Sequence, residues 1–139
     1  MRSLRLLIAS AIALGSFAAP VVAQGLACHD PQKPMFEIDL MFGRNIGGEL
    51  GVSEGLWSEF VASEITPRFP DGLTIDDALG QWRDPERNTI VQEPSKDVRV
   101  MVPAGAEVQE KIDAIVAAYK ERFKQQSVGV VIRQACVSF

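Results

Sequence analysis

DVRVMVPAGAEVQEKIDAIVAAYKERFKQQSVGVVI, residues 97–132, changes its period twice. Val98, Val100 and Val102 alternate with Arg99 and Met101, the two-residue period of a strand with one buried face. Pro103 to Gly105 end that strand. Val108, Ile112, Ile115, Val116, Tyr119 and Phe123 then recur at helical spacing, with Glu, Lys and Gln between them. From Ser127 the period returns to two. Val128, Val130 and Ile132 face one way and Val131, Arg133 and Val137 the other, as in an interior or partly buried last strand.

The upstream half has a similar rhythm. Phe36, Ile38, Leu40 and Phe42 alternate with Glu37, Asp39 and Met41, which predicts a first strand. Gly43 to Gly51, with Asn45 among the glycines, reads as a flexible connector. It lacks the order of a phosphate-binding loop, and Glu49 would repel an anion. Ser53 offers an N-cap hydroxyl, Glu54 suits the positive end of a helix dipole, and Val52 can staple against Trp57. The helix that follows turns Leu56, Trp57, Phe60, Val61 and Ile65 to one side and stops before Pro67.

Residues 67–72, PRFPDG, form a turn by composition. Beyond it Leu73 and Ile75 have one strand parity and Ala78, Gly80 and Trp82 the other, so a strand over 72–83 needs a bulge near Asp76 and Asp77. A short helical turn at 75–79 is the alternative. Asp84 to Asn88 closes a hairpin, a strand resumes at Thr89, and Pro94 interrupts it at an edge or bulge.

The order is β-α-β-β-α-β. It predicts an α+β, ferredoxin-like domain with a four-stranded antiparallel sheet and two helices on one face. The other face is then uncovered. Met41, Trp82 and Val131 on it would suit either a homodimer or one wall of a small-molecule cleft.

The N-terminus carries Arg2 and Arg5, an uncharged apolar run from Leu6 to Ala19, and small residues up to Ala23. This is the order of a signal peptide, residues 1–23, cut after Ala23. The run before Pro20 is shorter than the roughly 20 residues of a spanning helix, so a retained anchor is the weaker alternative. Residues 24–34 form a lead and residues 35–139 one domain. Removing residues 1–23, with two arginines and no acid, from the 139-residue chain leaves 116 residues with 12 basic against 18 acidic. A formal charge of −6 argues against nucleic acid and anionic lipid as partners, and no second apolar run predicts a membrane span.

Export, periplasmic or secreted, makes Cys28 and Cys136 an expected disulfide. Closing so long a loop stabilises by about 4 to 5 kcal/mol on the loop-entropy account. The competing reading makes Cys28, after Leu26 and Ala27, the acylated residue of a lipoprotein. Gly25 fits that signal poorly, and Cys136 would be left unpaired. No cysteine or histidine spacing suggests a metal site, His29 is the sole histidine, and no cofactor is expected.

Trp57, the string Thr66 to Thr74 (TPRFPDGLT), Gly80-Gln81-Trp82-Arg83, Glu93, Ser95-Lys96, Tyr119-Lys120 and the tail Cys136 to Phe139 together resemble a known family. It is the set of bacterial exported proteins grouped as domain of unknown function 3574, and the likeness spans about residues 35–139. The chain departs from it mildly at the acidic Ile75-Asp76-Asp77-Ala78 and at the turn Asp84-Pro85-Glu86. The resemblance implies export and carries no assigned activity.

Two functional classes follow. One is a non-enzymatic binding or interaction module of the cell envelope that meets an unknown protein or a second copy of itself. The other is a cofactor-free enzyme or carrier for a small anionic or aromatic metabolite. Its ligand-binding candidates are Arg68 and Asp71 in the turn, with Gln81, Trp82 and Arg83 on the next strand. Arginine can grip a carboxylate or phosphate, indole gives a flat wall, and an amide fixes orientation. The plainer reading has Arg68 and Asp71 pair with each other or cap backbone groups of the turn, and buries both tryptophans. A Ser95–Lys96 nucleophile pair is disfavoured because neighbours on a strand point to opposite faces.

Overall fold

A computed structural model describes residues 27–103, 105 and 107–139. The expected signal segment lies outside the described residues. Four long strands make one antiparallel sheet: β1 (Lys33–Gly43), β4 (Thr74–Asp84), β5 (Thr89–Val102) and β6 (Gly129–Val137), in the order β4-β5-β1-β6. Helices α1 (Glu54–Phe60) and α2 (Glu107–Phe123) complete an α+β fold. Among the described residues no helix is long and apolar enough to cross a membrane.

The alternation read from the sequence sorts the two faces. Ile38, Leu40 and Phe42 of β1 and Val98 and Val100 of β5 are buried. They join Trp57 and Phe60 of α1 and Ile112, Ile115, Tyr119 and Phe123 of α2 in one core. Its centre is aromatic. The Tyr119 ring lies 4.7 Å from Phe42, 5.0 Å from Phe60 and 4.9 Å from Phe123, centroid to centroid. Edge and tilted contacts of this kind add to the area they bury. The Tyr119 hydroxyl donates to the Gly43 carbonyl at 2.8 Å, which satisfies a polar atom carried into the core.

Ser53 caps α1 as read, accepting from the Leu56 N–H at 3.2 Å. The helix does not run uniformly to Pro67. Val61–Ile65 widen into a π-helical turn, closed by the Thr66 N–H on the Val61 carbonyl at 2.9 Å. The wider turn still buries Ile65 beside Phe60.

The glycine connector is a structured hairpin. β2 (Asn45–Ile46) pairs with β3 (Glu49–Leu50) through Gly47 and Gly48, whose φ angles are +64° and +96°. Two positive φ values in a two-residue loop demand such a pair.

Neither the expected bulge nor a helical turn forms in β4. Its pairing with β5 runs unbroken from Thr74↔Arg99 to Asp84↔Thr89. The parity conflict vanishes because Ile75 packs toward the helices, while Ala78, Gly80 and Trp82 occupy the open face. Pro94 does not break β5 either. It sits one residue past Ser95, the last partner of β1, where β5 stops being a central strand. Cys28 and Cys136 are joined, with 5.5 Å between their Cα atoms, and so tie the lead to β6.

Candidate functional site

The open face carries a charged cluster beside the exposed apolar Met41, Trp82 and Val131. Glu37 and Asp39 of β1, Asp97 and Arg99 of β5 and Arg133 of β6 share it and are cross-linked by charge. Arg133 Nε and Nη2 donate to the two Glu37 carboxylate oxygens, both at 2.9 Å, and Nη2 also reaches Asp39 Oδ2 at 2.6 Å. Arg99 Nε donates to Asp39 Oδ1 at 2.7 Å. The Arg133 hydrogen bond is the main cause that holds the Glu37 carboxyl below its usual range. Asp97 is pushed the other way, first by desolvation and then by the Asp39 charge.

Beyond this lattice, toward the β2–β3 hairpin, the same face sinks into a cavity of about 350 Å³. Strand register makes the hollow. Gly43 pairs with Ser95, Gly80 with Glu93, and Gly129 with Met41, so three strands contribute a residue without a side chain to one region of the face. The space above each glycine is used. A Cβ on Gly43 would stand 2.6 Å from Glu93 Oε1, one on Gly80 2.6 Å from Ser95 Oγ, and one on Gly129 2.9 Å from Met41 Cε.

Glu93 is the centre of the site. It is 8% exposed. Trp82 Nε1 donates to Oε1 at 2.8 Å and the Asn45 main-chain N–H donates to Oε2 at 3.1 Å. Both carboxylate oxygens thus rest on neutral dipoles from two different elements. Trp82, Met41 and Val91 supply apolar wall, Ser95 a hydroxyl, and Arg87 and Lys124 cationic side chains to the lining. Gln125, just past α2, closes the hairpin side by donating from Nε2 to the Asn45 carbonyl at 2.7 Å.

On the opposite face of β5 lies a second buried charge. Lys96 is 5% exposed, and its Nζ donates to Asp77 Oδ1 at 2.5 Å and Glu54 Oε2 at 3.0 Å. Arg44 Nη1 meets the other Glu54 oxygen at 2.5 Å, and its Nε donates to the Val52 carbonyl at 2.8 Å. The Asp77 hydrogen bond chiefly raises the Lys96 pKa, and the Lys96 hydrogen bond lowers those of Asp77 and Glu54. This network ties the start of α1 to β4 and β5. Ser95 and Lys96 stand on opposite faces.

Of the five residues nominated from sequence, Gln81 and Trp82 line the cavity. Arg83 donates to Asn88 within its own hairpin at 3.1 Å. Arg68 donates to the Glu64 carbonyl and carboxylate at 2.7 and 2.9 Å, so its partner is one turn back and not Asp71. Asp71 is exposed in the turn. The structure does not bring Arg68, Asp71 and Arg83 to the cavity that holds Trp82. Gly43, Gly80, Gly129 and Asn45 went unnoticed as site residues. Glycines inside strands were the available signal.

The sequence profile of a family described as protein of unknown function (DUF3574) matches residues 37–139. No curated protein matches the chain. Among solved structures, a phage SAM lyase in complex with S-methyl-5'-thioadenosine is similar at TM-score 0.61 and 18% identity, over 76% of this chain and 90% of that one. The phage SAM lyase in its apo state gives 0.55 and 16%, over 76% and 92%. A nitrogen regulatory PII-like protein, CPII from Thiomonas intermedia K12, bound to ADP, AMP and bicarbonate, gives 0.45 and 12%, over 78% and 97%. At these identities the likeness is one of fold. By the profile match from Glu37 to Phe139, the chain belongs to the DUF3574 family of proteins of unknown function.

Proposed function

We propose that this protein is an exported binding module that holds a small molecule in the open-face cavity, with no chemistry performed on it. The observation that carries the proposal is Glu93, buried over Gly43 and held on neutral donors, with the half-exposed Trp82 beside it in the cavity wall. A planar apolar group fits against Trp82 and Met41, and a hydrogen-bond-donating edge can address Glu93 and Ser95. The ligand class is therefore an aromatic or heteroaromatic metabolite that carries hydrogen-bond donors. The cavity volume is within the range of small-molecule sites.

Export is the proposed setting. The Cys28–Cys136 bond supports it, since such bonds persist in oxidising compartments, and it occupies the sulfur that acylation would need. The ferredoxin-like plan is likewise proposed for the four long strands, on the strength of their order β4-β5-β1-β6 with a helix in each of the two longer connections.

Thermal shift on the full chain tests the proposal, using a panel of aromatic carboxylates, nucleosides and nucleotides. S-methyl-5'-thioadenosine belongs in it because a protein of similar fold was solved with that molecule. At one hundred times its Kd a ligand stabilises by about 2.7 kcal/mol. The expected result is a compound that raises Tm for wild type and loses the effect in Trp82→Ala, with Arg68→Ala unchanged. A compound that stabilises wild type and Trp82→Ala equally would sink the idea.

A further inference from the structure

We infer that β6 pairs edge to edge with β6 of a second copy of this chain, joining two sheets across a twofold axis. The sheet has two outer strands, and they are protected very differently. β4 carries Asp76, Asp77, Arg83 and Asp84, charges that discourage another strand from docking. β6 has one charge, no proline and no interior glycine. Among the described residues nothing pairs with its outer side. Val130, Val131 and Ile132 are consecutive and 39%, 38% and 42% exposed, so aliphatic surface lies open on both faces of the same strand. A long apolar edge of this kind is a template for pairing unless something covers it.

The occupant is a second copy because the strand is complementary to itself. A twofold axis normal to the sheet runs the two β6 strands antiparallel and keeps like faces together. Centred on Val131, it sets Val131 against its own copy, Val130 against Ile132, and Arg133 against Gly129. Among such registers only this one lets all three aliphatics meet aliphatics. Moving the centre to Arg133 would oppose two guanidinium groups, which is unfavourable. In the chosen register Arg133 faces a residue without a side chain, and its charge is already countered by Glu37 and Asp39. The Cys28–Cys136 bond ties the far end of the strand to the lead. Pairing gives a continuous eight-stranded sheet, and the small-molecule proposal does not depend on it.

Sedimentation velocity on protein purified from cells expressing the full chain gives the test, with the disulfide intact. A dimer is expected. Val131→Lys, which sets two ammonium groups against each other at the axis, should give a monomer with an unchanged circular dichroism spectrum. Leu79→Lys, on the exposed side of the other edge, should leave the dimer intact. Val131→Cys provides a reading independent of the lysine variant's folding: mild oxidation should yield a covalent dimer in non-reducing gels, and Leu79→Cys should not. A wild type that stays monomeric at every concentration overturns the inference. So does a dimer that survives Val131→Lys or is lost in Leu79→Lys.

Discussion

Lys96 and Glu93 lie three residues apart on β5, are buried to nearly the same extent, and carry opposite charge on opposite faces of one sheet. Their surroundings differ in kind. Lys96 is met by two carboxylates, and Arg44 shares one of them, so the charges close on themselves. Glu93 is met by an indole N–H and a backbone N–H, which fix its position without supplying a countercharge. A buried charge whose partners are charges is spent on joining elements. One whose partners are dipoles, beside open space, is available to something that is not part of the chain. On the proposed reading, the contrast makes the Lys96 side scaffold and the Glu93 side site.

Removing the scaffold charge has the largest expected effect. Lys96→Ala takes away the cation on which Asp77 and Glu54 converge and leaves a gap beneath α1. A loss of about 2 kcal/mol is expected in urea unfolding, below the usual cost of breaking a buried pair because both carboxylates reach solvent. Binding in the cavity across the sheet should change little for the folded fraction. A variant of wild-type stability that loses ligand would reverse the assignment of the two faces.

Gly43→Ala probes the other side with a smaller change. The new methyl would stand 2.6 Å from the Glu93 carboxylate, so Glu93 must move and release Trp82 and Asn45. The expected cost is about 1 to 2 kcal/mol. In a Glu93→Ala background the same methyl has space, so the cost should largely disappear, and the coupling would measure the clash directly. An undiminished cost there would mean that Gly43 serves the backbone of β1 and not the carboxylate.

Much of this architecture was legible in the chain. Phe36 to Phe42, Val98 to Val102 and Val108 to Phe123 have periods that burial enforces, and Ser53 announces the start of α1 through its own cap. The site was less so. The parity of Trp82 gives its place on the open face, but the carboxylate that its indole N–H meets lies eleven residues away on another strand, which no local pattern contains. Gly43, Gly80 and Gly129 are scattered across the chain. Only the register of four strands brings them together, and single-strand patterns do not contain register. Arg68 and Arg83 drew notice by their chemistry, which says nothing about the nearby Glu64 and Asn88 that hold them.

The smallest expected effect belongs to Asp97, which stands between the two kinds of charge. It faces the lattice of Arg99, Asp39 and Arg133, yet its Oδ1 is buried and meets no hydrogen-bond donor among the described residues. Desolvation, followed by the Asp39 charge, raises its carboxyl above the usual 3.8. A carboxyl raised on folding adds stability that is fully present below its unfolded pKa and is lost as pH rises through the folded one. Asp97 therefore weakens the fold at neutral pH, whereas Glu37, Glu54 and Asp77, all lowered, add stability there that falls away in acid. Asp97→Asn should stabilise the protein at pH 7 by about 0.5 kcal/mol, an ordinary size for a partly exposed substitution. The advantage should shrink as pH falls and wild-type Asp97 takes up its proton. Unfolding curves for both proteins at pH 7 and pH 4 check the sign. A gain that grows in acid would mean that the surroundings of Asp97 favour its anion on folding.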